Sequence, residues 1–230
     1  HLHHSLTGEY VKENLNTVNL SNSDAFAYVN TVDQHLPFST TKAKEIIKVE
    51  VTIMEKQIDS TTIYDGAIIK VTKEHVLLQD GNTAVRECVY HHGGVCILAI
   101  EDDEIILVKQ FRYPNRCDTL EIPAGKLELG EDPDKACYRE FEEETNRRAK
   151  NMRPILKMLP TPGYSSEILR IYEAEYFKEV EDSLQCDADE FLNIIKMPID
   201  EAYKAIFDGR IIDGKTVIAV MYAYNRKHCK

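Results

Sequence analysis

The 230-residue chain has no apolar run close to the roughly 20 residues that a membrane-spanning helix requires. Its N-terminus also lacks the order of charged and then apolar residues that marks a secretory signal peptide. Its 28 lysines and arginines are outnumbered by 39 aspartates and glutamates, which gives a formal net charge of -11. Nucleic-acid binding depends on clustered basic side chains, so this balance argues against a nucleic-acid partner. We therefore expect a soluble, cytoplasmic protein without membrane or nucleic-acid partners.

The six cysteines form no CxxC pair and no spacing with histidine that is typical of a zinc site. Scattered thiols are expected in a reducing compartment, where structural disulfides are rare. With 43% hydrophobic residues, the chain is long enough to bury a full core in one large domain, or in one domain with an appendage.

Residues 1–53 differ in composition from the rest of the chain. They begin with a histidine cluster and continue through sequence rich in asparagine, serine and threonine. We expect an extension of unknown role, such as a tag or a leader, with Met54 as a natural start. Alternating apolar residues over 46–51 predict one additional strand.

Strand patterns dominate from residue 54 onward, with a few helical segments between them. Residues 54–92 are predicted to form an antiparallel β meander with strands at 61–65, 67–77 and 83–91 and a hairpin turn at Asp80-Gly81. Later strands are predicted at 93–100, 105–110, 120–122, 155–159, 168–177 and 191–197, and later helices at 199–207 and 216–224. This mixture predicts a layered α/β domain over residues 93–230.

An acidic cluster between these elements points to chemistry. If Pro133 opens a helix with Asp132 as its N-cap, then Glu140, Glu143 and Glu144 stand at i, i+3 and i+4 on one face. Hard divalent cations would neutralise such a cluster, because Mg2+ binds carboxylate, water and phosphate oxygens. The alternative is a solvated helix face with a few pairs to basic residues. The first interpretation predicts a phosphate anhydride as substrate.

The surrounding segment fits the pattern Gly-x5-Glu-x7-Arg-Glu-U-x-Glu-Glu, in which U is apolar, and it thereby resembles the Nudix box. The fixed positions are Gly125, Glu131, Arg139, Glu140, Phe141, Glu143 and Glu144. The family's box closes with glycine and an apolar residue, whereas this chain has Asn146 and Arg147. Asparagine tolerates the left-handed conformation that ends a helix, so we expect the turn to be kept. Arg147 cannot supply the apolar packing contact and is expected to cap the helix dipole.

Further positions resemble the ADP-ribose pyrophosphatases within this family. Pro162 matches the proline that those enzymes carry after the box, and the segments Val108–Tyr113 and Leu120–Lys126 are similar, as is Arg86-Glu87. The similarity covers residues 54–228. It implies a Nudix α/β/α sandwich with a mixed sheet, preceded by a meander that is used in dimerisation.

The resemblance also implies an activity and a set of site residues. The implied reaction is Mg2+-dependent hydrolysis of ADP-ribose, or of a related nucleoside diphosphate sugar, to AMP and ribose 5-phosphate, with Mn2+ as a substitute metal. The implied metal ligands are the Ala124 carbonyl and the carboxylates of Glu140, Glu143 and Glu144. Arg139 would orient these glutamates by salt bridges, and Glu131 would support the loop. The residues implied to lie at the substrate are Arg86, Arg112, Glu121, Pro162 and Glu167.

The general base is expected in an acidic loop well after the box. The resembled enzymes have Asp-Glu-Asp-Glu there, whereas this chain has Ala188 in place of the first glutamate. We predict Glu190 as the base, because its long side chain can reach into a site from a loop, with Asp187 and Asp189 as alternatives. A solvated loop without a catalytic role is the other interpretation.

Two other functions fit the same residues. One is hydrolysis of a different nucleoside diphosphate sugar such as GDP-mannose, and the other is a non-catalytic Nudix-like sensor that binds ADP-ribose. The retained Glu140, Glu143 and Glu144 argue against a sensor, whereas Ala188 favours one. We also predict a homodimer in which Arg86 reaches the neighbouring subunit's site, because a short meander needs a second surface to cover its apolar face.

Overall fold

The computed structural model describes residues 54–181 and 193–229. The strand predicted at 46–51 and the acidic loop at 187–190 lie outside these residues. The described chain falls into two compact units, one with the residues up to Ser60 and Glu74–Arg86, the other with Thr61–Lys73 and the residues from Glu87 onward. None of the helices described has the length and hydrophobicity of a membrane span.

The predicted N-terminal meander is confirmed. Strands β1 (Glu55–Asp65), β2 (Ile69–Leu78) and β3 (Thr83–His91) form an antiparallel sheet in that order. The hairpin turn lies at the predicted Asp80-Gly81, where Gly81 adopts φ 84° and the Leu78 amide donates to the Asn82 carbonyl over 2.8 Å. Glycine is suited to this turn because it adopts a positive φ without steric cost.

A mixed sheet forms the centre of the second unit. Its strands are β4 (Gly94–Glu101), β5 (Glu104–Arg112), β6 (Cys117–Glu121), β7 (Ala124–Lys126), β9 (Asn151–Met158), β10 (Leu169–Glu175) and β12 (Asn193–Pro198). The order is β12-β5-β4-β10-β9, while β6 pairs with β5 and β7 with β4. Strands β4 and β10 run parallel, and the other pairs are antiparallel. A short ribbon of β8 (Arg147–Arg148) and β11 (Lys178–Glu179) stands apart, and the sequence patterns did not predict it.

Helices cover both faces of this sheet. Successive side chains of a strand point to opposite faces, and in β4 this places Val95 and Ile97 in a core with α1 (Pro133–Thr145). The alternate residues Cys96 and Leu98 pack in a second core with α2 (Ile199–Phe207) and α3 (Gly214–His228). All four strand residues are fully buried. The arrangement confirms the predicted α/β/α sandwich.

Helix α1 begins and ends as predicted from its caps. The Asp132 carboxylate accepts from the Asp134 amide over 3.0 Å, and Pro133 is the first helical residue. Asn146 adopts the left-handed conformation with φ 51°. Arg147 is buried, donates to the Thr145 carbonyl at the helix end over 2.9 Å, and pairs with Glu179 of β11. One hydrogen bond to a backbone carbonyl and one ion pair thus replace the apolar contact that is expected after the box.

Candidate functional site

The carboxylates of α1 face the short strand β7. Glu140 and Glu144 are both buried, and the Ala124 amide donates to Glu144 Oε2 over 2.9 Å. Because residues four apart lie above one another on a helix, the two side chains reach the same stretch of backbone. The predicted clustering of these glutamates at the glycine turn is therefore present.

Gly125 makes room for one of these carboxylates. A methyl group at its Cα would lie 1.7 Å from the carboxyl carbon of Glu140 and about as close to both oxygens, at 1.9 and 2.1 Å. The backbone there is not in the left-handed region. Glycine is required here because the Glu140 carboxylate occupies the space that any side chain would fill.

Arg139 links the acidic residues of the box. Its guanidinium donates to both oxygens of Glu131 over 3.0 and 2.9 Å, and to Glu143 over 2.9 Å. It also lies 2.8 Å from Glu140. Burial disfavours its charge, but the hydrogen bonds and charges of Glu131 and Glu140 outweigh burial and raise the pKa of Arg139. Glu131 in turn accepts from the Glu128 amide over 3.0 Å, which secures the loop before α1.

The donor set of this site suits a hard cation. Glu140, Glu143 and Glu144 offer carboxylate oxygens, the type of ligand that Mg2+ binds, and the cradle at Gly125 holds one of them against the backbone. Within the described parts of the chain, no three acidic, histidine or cysteine side chains already converge as a preformed ion cage. Arg139 is the cation that neutralises the cluster in this arrangement, as a partner of Glu140 and Glu143.

A second charged group lies at the ends of β5 and β6. Arg112 donates to Glu121 with two parallel hydrogen bonds of 2.7 and 2.6 Å, and Thr119 Oγ1 donates to Glu121 over 2.6 Å. Lys215 contacts the same carboxylate. Burial alone would raise the pKa of Glu121, but Arg112 and Lys215 outweigh it and lower the pKa to about 2. The charges of Asp213 and Glu144 contribute to a raised pKa of Arg112, after the main effect of Glu121.

Sequence reasoning missed the N-terminus of α3 as part of this group. Asp213 caps the helix through the Thr216 amide at 3.0 Å and lies 3.0 Å from Lys215. Thr216 Oγ1 accepts from the Ile122 amide over 2.9 Å and donates to Asp213 over 2.6 Å. Aspartate is a favoured N-cap residue, so Asp213 could have placed the helix start at Gly214, two residues earlier than predicted.

Two other predicted residues, Pro162 and Glu167, belong to neither of these charged groups. Pro162 is exposed in the loop before β10. Glu167 lies 3.6 Å from His91 Nδ1, but this nitrogen accepts from the Gly93 amide over 2.9 Å and so cannot also donate to Glu167. Arg86 belongs to the first unit and forms two hydrogen bonds with Glu55. Glu190 lies outside the described residues.

Comparison with known proteins connects this arrangement to a family. The profile of the NUDIX domain matches residues 90–218. The chain is 40% identical to the methanol dehydrogenase activator of Bacillus methanolicus, over 73% of this chain and 91% of that protein. It is 38% identical to the ADP-ribose pyrophosphatase of Bacillus subtilis (strain 168), over 74% of this chain and 93% of that enzyme. A crystal structure of an ADP compounds hydrolase has the same fold, with a TM-score of 0.66 at 20% identity over 76% of this chain and 96% of that chain.

Proposed function

The chain belongs to the NUDIX family, as a hydrolase of the ADP-ribose pyrophosphatase type, and we propose that it splits ADP-ribose into AMP and ribose 5-phosphate with Mg2+. The observation that carries the proposal is the convergence of Glu140 and Glu144 on the backbone of Ala124 and Gly125. This convergence assembles oxygen ligands next to a cationic arginine, which suits a diphosphate bound with a metal ion.

The proposed metal ligands are Glu140, Glu143, Glu144 and the Ala124 carbonyl. Bound divalent ions supply charge neutralisation of the diphosphate and activation of water, with Mn2+ able to replace Mg2+. Arg139 keeps the carboxylates in place through its contacts with Glu131, Glu140 and Glu143. Its fork is engaged by these three glutamates, which supports a positioning role rather than contact with substrate.

Other residues of the chain would bind the substrate and move the proton. Arg112 presents a half-exposed guanidinium whose Nε and Nη2 bind Glu121, and its Nη1 side suits a phosphate oxygen. Glu167 would accept a hydrogen bond from a ribose hydroxyl, and Pro162 would shape the loop beside it. Glu190 would take the proton of the attacking water while the phosphorus–oxygen bond of the anhydride breaks. Glu121 is buried and already accepts from Arg112, Thr119 and Lys215, which supports a role behind Arg112.

A homodimer is proposed for the same protein. Every residue of β1 is exposed, and the strand carries large apolar side chains at Ile58, Ile63 and Tyr64 that are between 54% and 63% exposed. Exposed apolar residues on a strand favour coverage by a second surface. A second copy of the chain would cover them, and Arg86 would serve the neighbouring site.

A panel of nucleotide sugars tests the proposed function. The purified chain is incubated with ADP-ribose, GDP-mannose and other nucleoside diphosphate sugars, with Mg2+, with Mn2+ and with chelator, and the products are separated by liquid chromatography. We expect AMP and ribose 5-phosphate from ADP-ribose and no products with chelator. Preferential release of GMP from GDP-mannose would favour the related hydrolase. Binding of ADP-ribose without products would favour the sensor.

Similarity to a methanol dehydrogenase activator favours a second candidate, in which the chain acts on a partner dehydrogenase. The test adds the chain, or its Glu144→Gln variant, to a purified methanol dehydrogenase and measures the dehydrogenase rate. Activation by the unmodified chain but not by the Glu144→Gln variant would indicate that activation requires hydrolysis. Activation by both proteins would indicate binding without hydrolysis, and no activation would refute this candidate.

A further inference from the structure

We propose that Lys215 is a positioning residue for the phosphate site, where it fixes the Glu121 carboxylate that in turn orients the guanidinium of Arg112. The inference deepens the proposed function and rests on it, because it takes Arg112 as the contact for the diphosphate. It concerns a residue of α3 that lies outside the Nudix box and was not predicted from the sequence.

Two of the three linked side chains are buried, and the third is half-exposed. The side chain of Lys215 is 8% exposed, that of Glu121 is 3% exposed, and that of Arg112 is 41% exposed. Only the outermost of the three can meet a ligand. The buried lysine and glutamate therefore act on a ligand through the arginine.

The Glu121 carboxylate has little freedom to rotate. Oε1 accepts from Arg112 Nε and from Thr119 Oγ1, and Oε2 accepts from Arg112 Nη2 and from Lys215 Nζ. Charge-assisted hydrogen bonds of this kind are directional, and a bidentate arginine–carboxylate pair fixes the plane of the guanidinium. Since Glu121 is held from behind, the plane of Arg112 is fixed as well.

Lys215 is charged despite its burial. Burial lowers the pKa of a lysine, but the charges of Asp213 and Glu121 outweigh it and raise the pKa of Lys215. Removal of one partner from a buried ion pair leaves the other charge uncompensated. Without Lys215, Glu121 would lose one of the two cationic partners that it has among the described residues, and the half-exposed Arg112 would be the other. Arg112 would then lose its fixed orientation.

The start of α3 also holds the neighbouring backbone. The Ile122 amide, next to Glu121, donates to Thr216 Oγ1, which is bonded to the capping Asp213. Lys215 and Thr216 thus attach α3 to Glu121 and Ile122, two consecutive residues that precede Ala124 closely in the chain. This places Lys215 on a rigid element, as a positioning role requires.

A double-mutant cycle tests the inference. Lys215→Met and Arg112→Met are made singly and together, and each protein is measured for KM and kcat on ADP-ribose and for equilibrium binding of ADP-ribose. We expect Lys215→Met to raise KM and the dissociation constant for ADP-ribose about tenfold, with kcat nearly unchanged. In the Arg112→Met background, the same substitution should change KM and the dissociation constant by at most about twofold. Lys215→Arg, which keeps the cation, should restore part of the affinity.

Lys227→Met is the matched control, since Lys227 is on the same helix but pairs with Asp103 and Asp200 near the surface. It should leave KM and binding unchanged. If Lys215→Met does not fold by circular dichroism, Glu121→Asp replaces it in the cycle, because the shorter carboxylate keeps its charge but withdraws from Arg112.

Two failures are distinguishable. If Lys215→Met lowers affinity equally in the presence of Arg112 and in the Arg112→Met background, Lys215 acts independently of Arg112. That result would overturn the inference but not the proposed function. Loss of kcat without loss of affinity would overturn it as well. An unmodified chain that neither hydrolyses nor binds ADP-ribose would refute the proposed function, and the inference with it.

Discussion

Gly125→Ala isolates the contact between the glycine turn and the carboxylate of Glu140. The added methyl group would lie 1.7 Å from the carboxyl carbon. Carbon atoms in ordinary contact are about 3.5 Å apart or more, so the carboxylate would have to retreat by roughly 1.8 Å. The backbone of Gly125 is not in the left-handed region, so alanine itself is not strained there.

That retreat is large compared with the tolerance of a metal site. Metal–ligand distances in proteins are defined to within about 0.2 Å, and a misplacement of about 1 Å in an active site costs on the order of a hundredfold in rate. Glu140 is buried and also contacts Arg139, so its new position cannot be reached by a free rotation into solvent. We expect Gly125→Ala to lower kcat/KM on ADP-ribose about a hundredfold and to raise the Mg2+ concentration for half-maximal rate.

The assay follows initial rates over a Mg2+ titration, with metal binding measured separately by calorimetry without substrate. Gly214→Ala is the matched control, because a methyl group there meets nothing within 4 Å and the backbone is not left-handed. It should keep both rate and Mg2+ dependence. A folded Gly125→Ala protein with normal turnover and a normal Mg2+ titration would refute the assignment of Glu140 as a metal ligand.

Four further predictions address other residues. Glu144→Gln should lower turnover by several orders of magnitude with the fold intact, since the amide loses charge but can still accept from the Ala124 amide; a near-normal rate with normal Mg2+ dependence would contradict this. Glu190→Gln should lower kcat far more than it weakens binding, and a larger loss from Asp187→Asn would assign the base to Asp187. Because the folded-state pKa of Glu121 is depressed from 4.5 to about 2, its ion pairs stabilise the fold above about pH 4.5 and lose this effect as the pH falls toward 2. In denaturant titrations, the difference in unfolding free energy between the unmodified protein and Glu121→Gln should therefore become smaller as the pH falls through that interval. Light scattering of the purified protein should give twice the monomer mass. Mixing Arg86→Ala chains with Glu144→Gln chains should restore hydrolysis of ADP-ribose, because one site of a mixed dimer holds both intact residues. A monomeric mass, or no restored hydrolysis after proven subunit exchange, would exclude a shared site.

Much of the fold was predictable because its signals are local. The alternation in β4 and the hairpin at Asp80-Gly81 follow from neighbouring residues, and so do the caps of α1 at Asp132 and Asn146. The convergence of Glu140 and Glu144 was predictable for the same reason, since i,i+4 spacing on a helix fixes their common face. These features depend on contacts between residues that are near one another in the chain.

The ribbon of β8 and β11 was missed because its determinants are distant. Arg147 was expected to cap α1, and its bond to the Thr145 carbonyl agrees with that expectation. The ionic partner of the same side chain is Glu179, which is 32 residues away. A two-residue strand has no periodicity to detect, so only the folded chain reveals why a cation can stand where the family's box has an apolar residue.

The charged group around Arg112 shows the same limit at the site itself. The sequence identified Arg112 and Glu121 through one resemblance and assigned both to the substrate, because a motif gives residue types without their partners. Lys215 is 94 residues from Glu121, and no local pattern connects them. Because Glu121 accepts hydrogen bonds from Arg112, Thr119 and Lys215, we propose one substrate contact, Arg112, with Glu121 and Lys215 as its supporting residues. Substitutions of Glu121 and Lys215 should therefore change affinity only through Arg112, which is the relation that the double-mutant cycle measures.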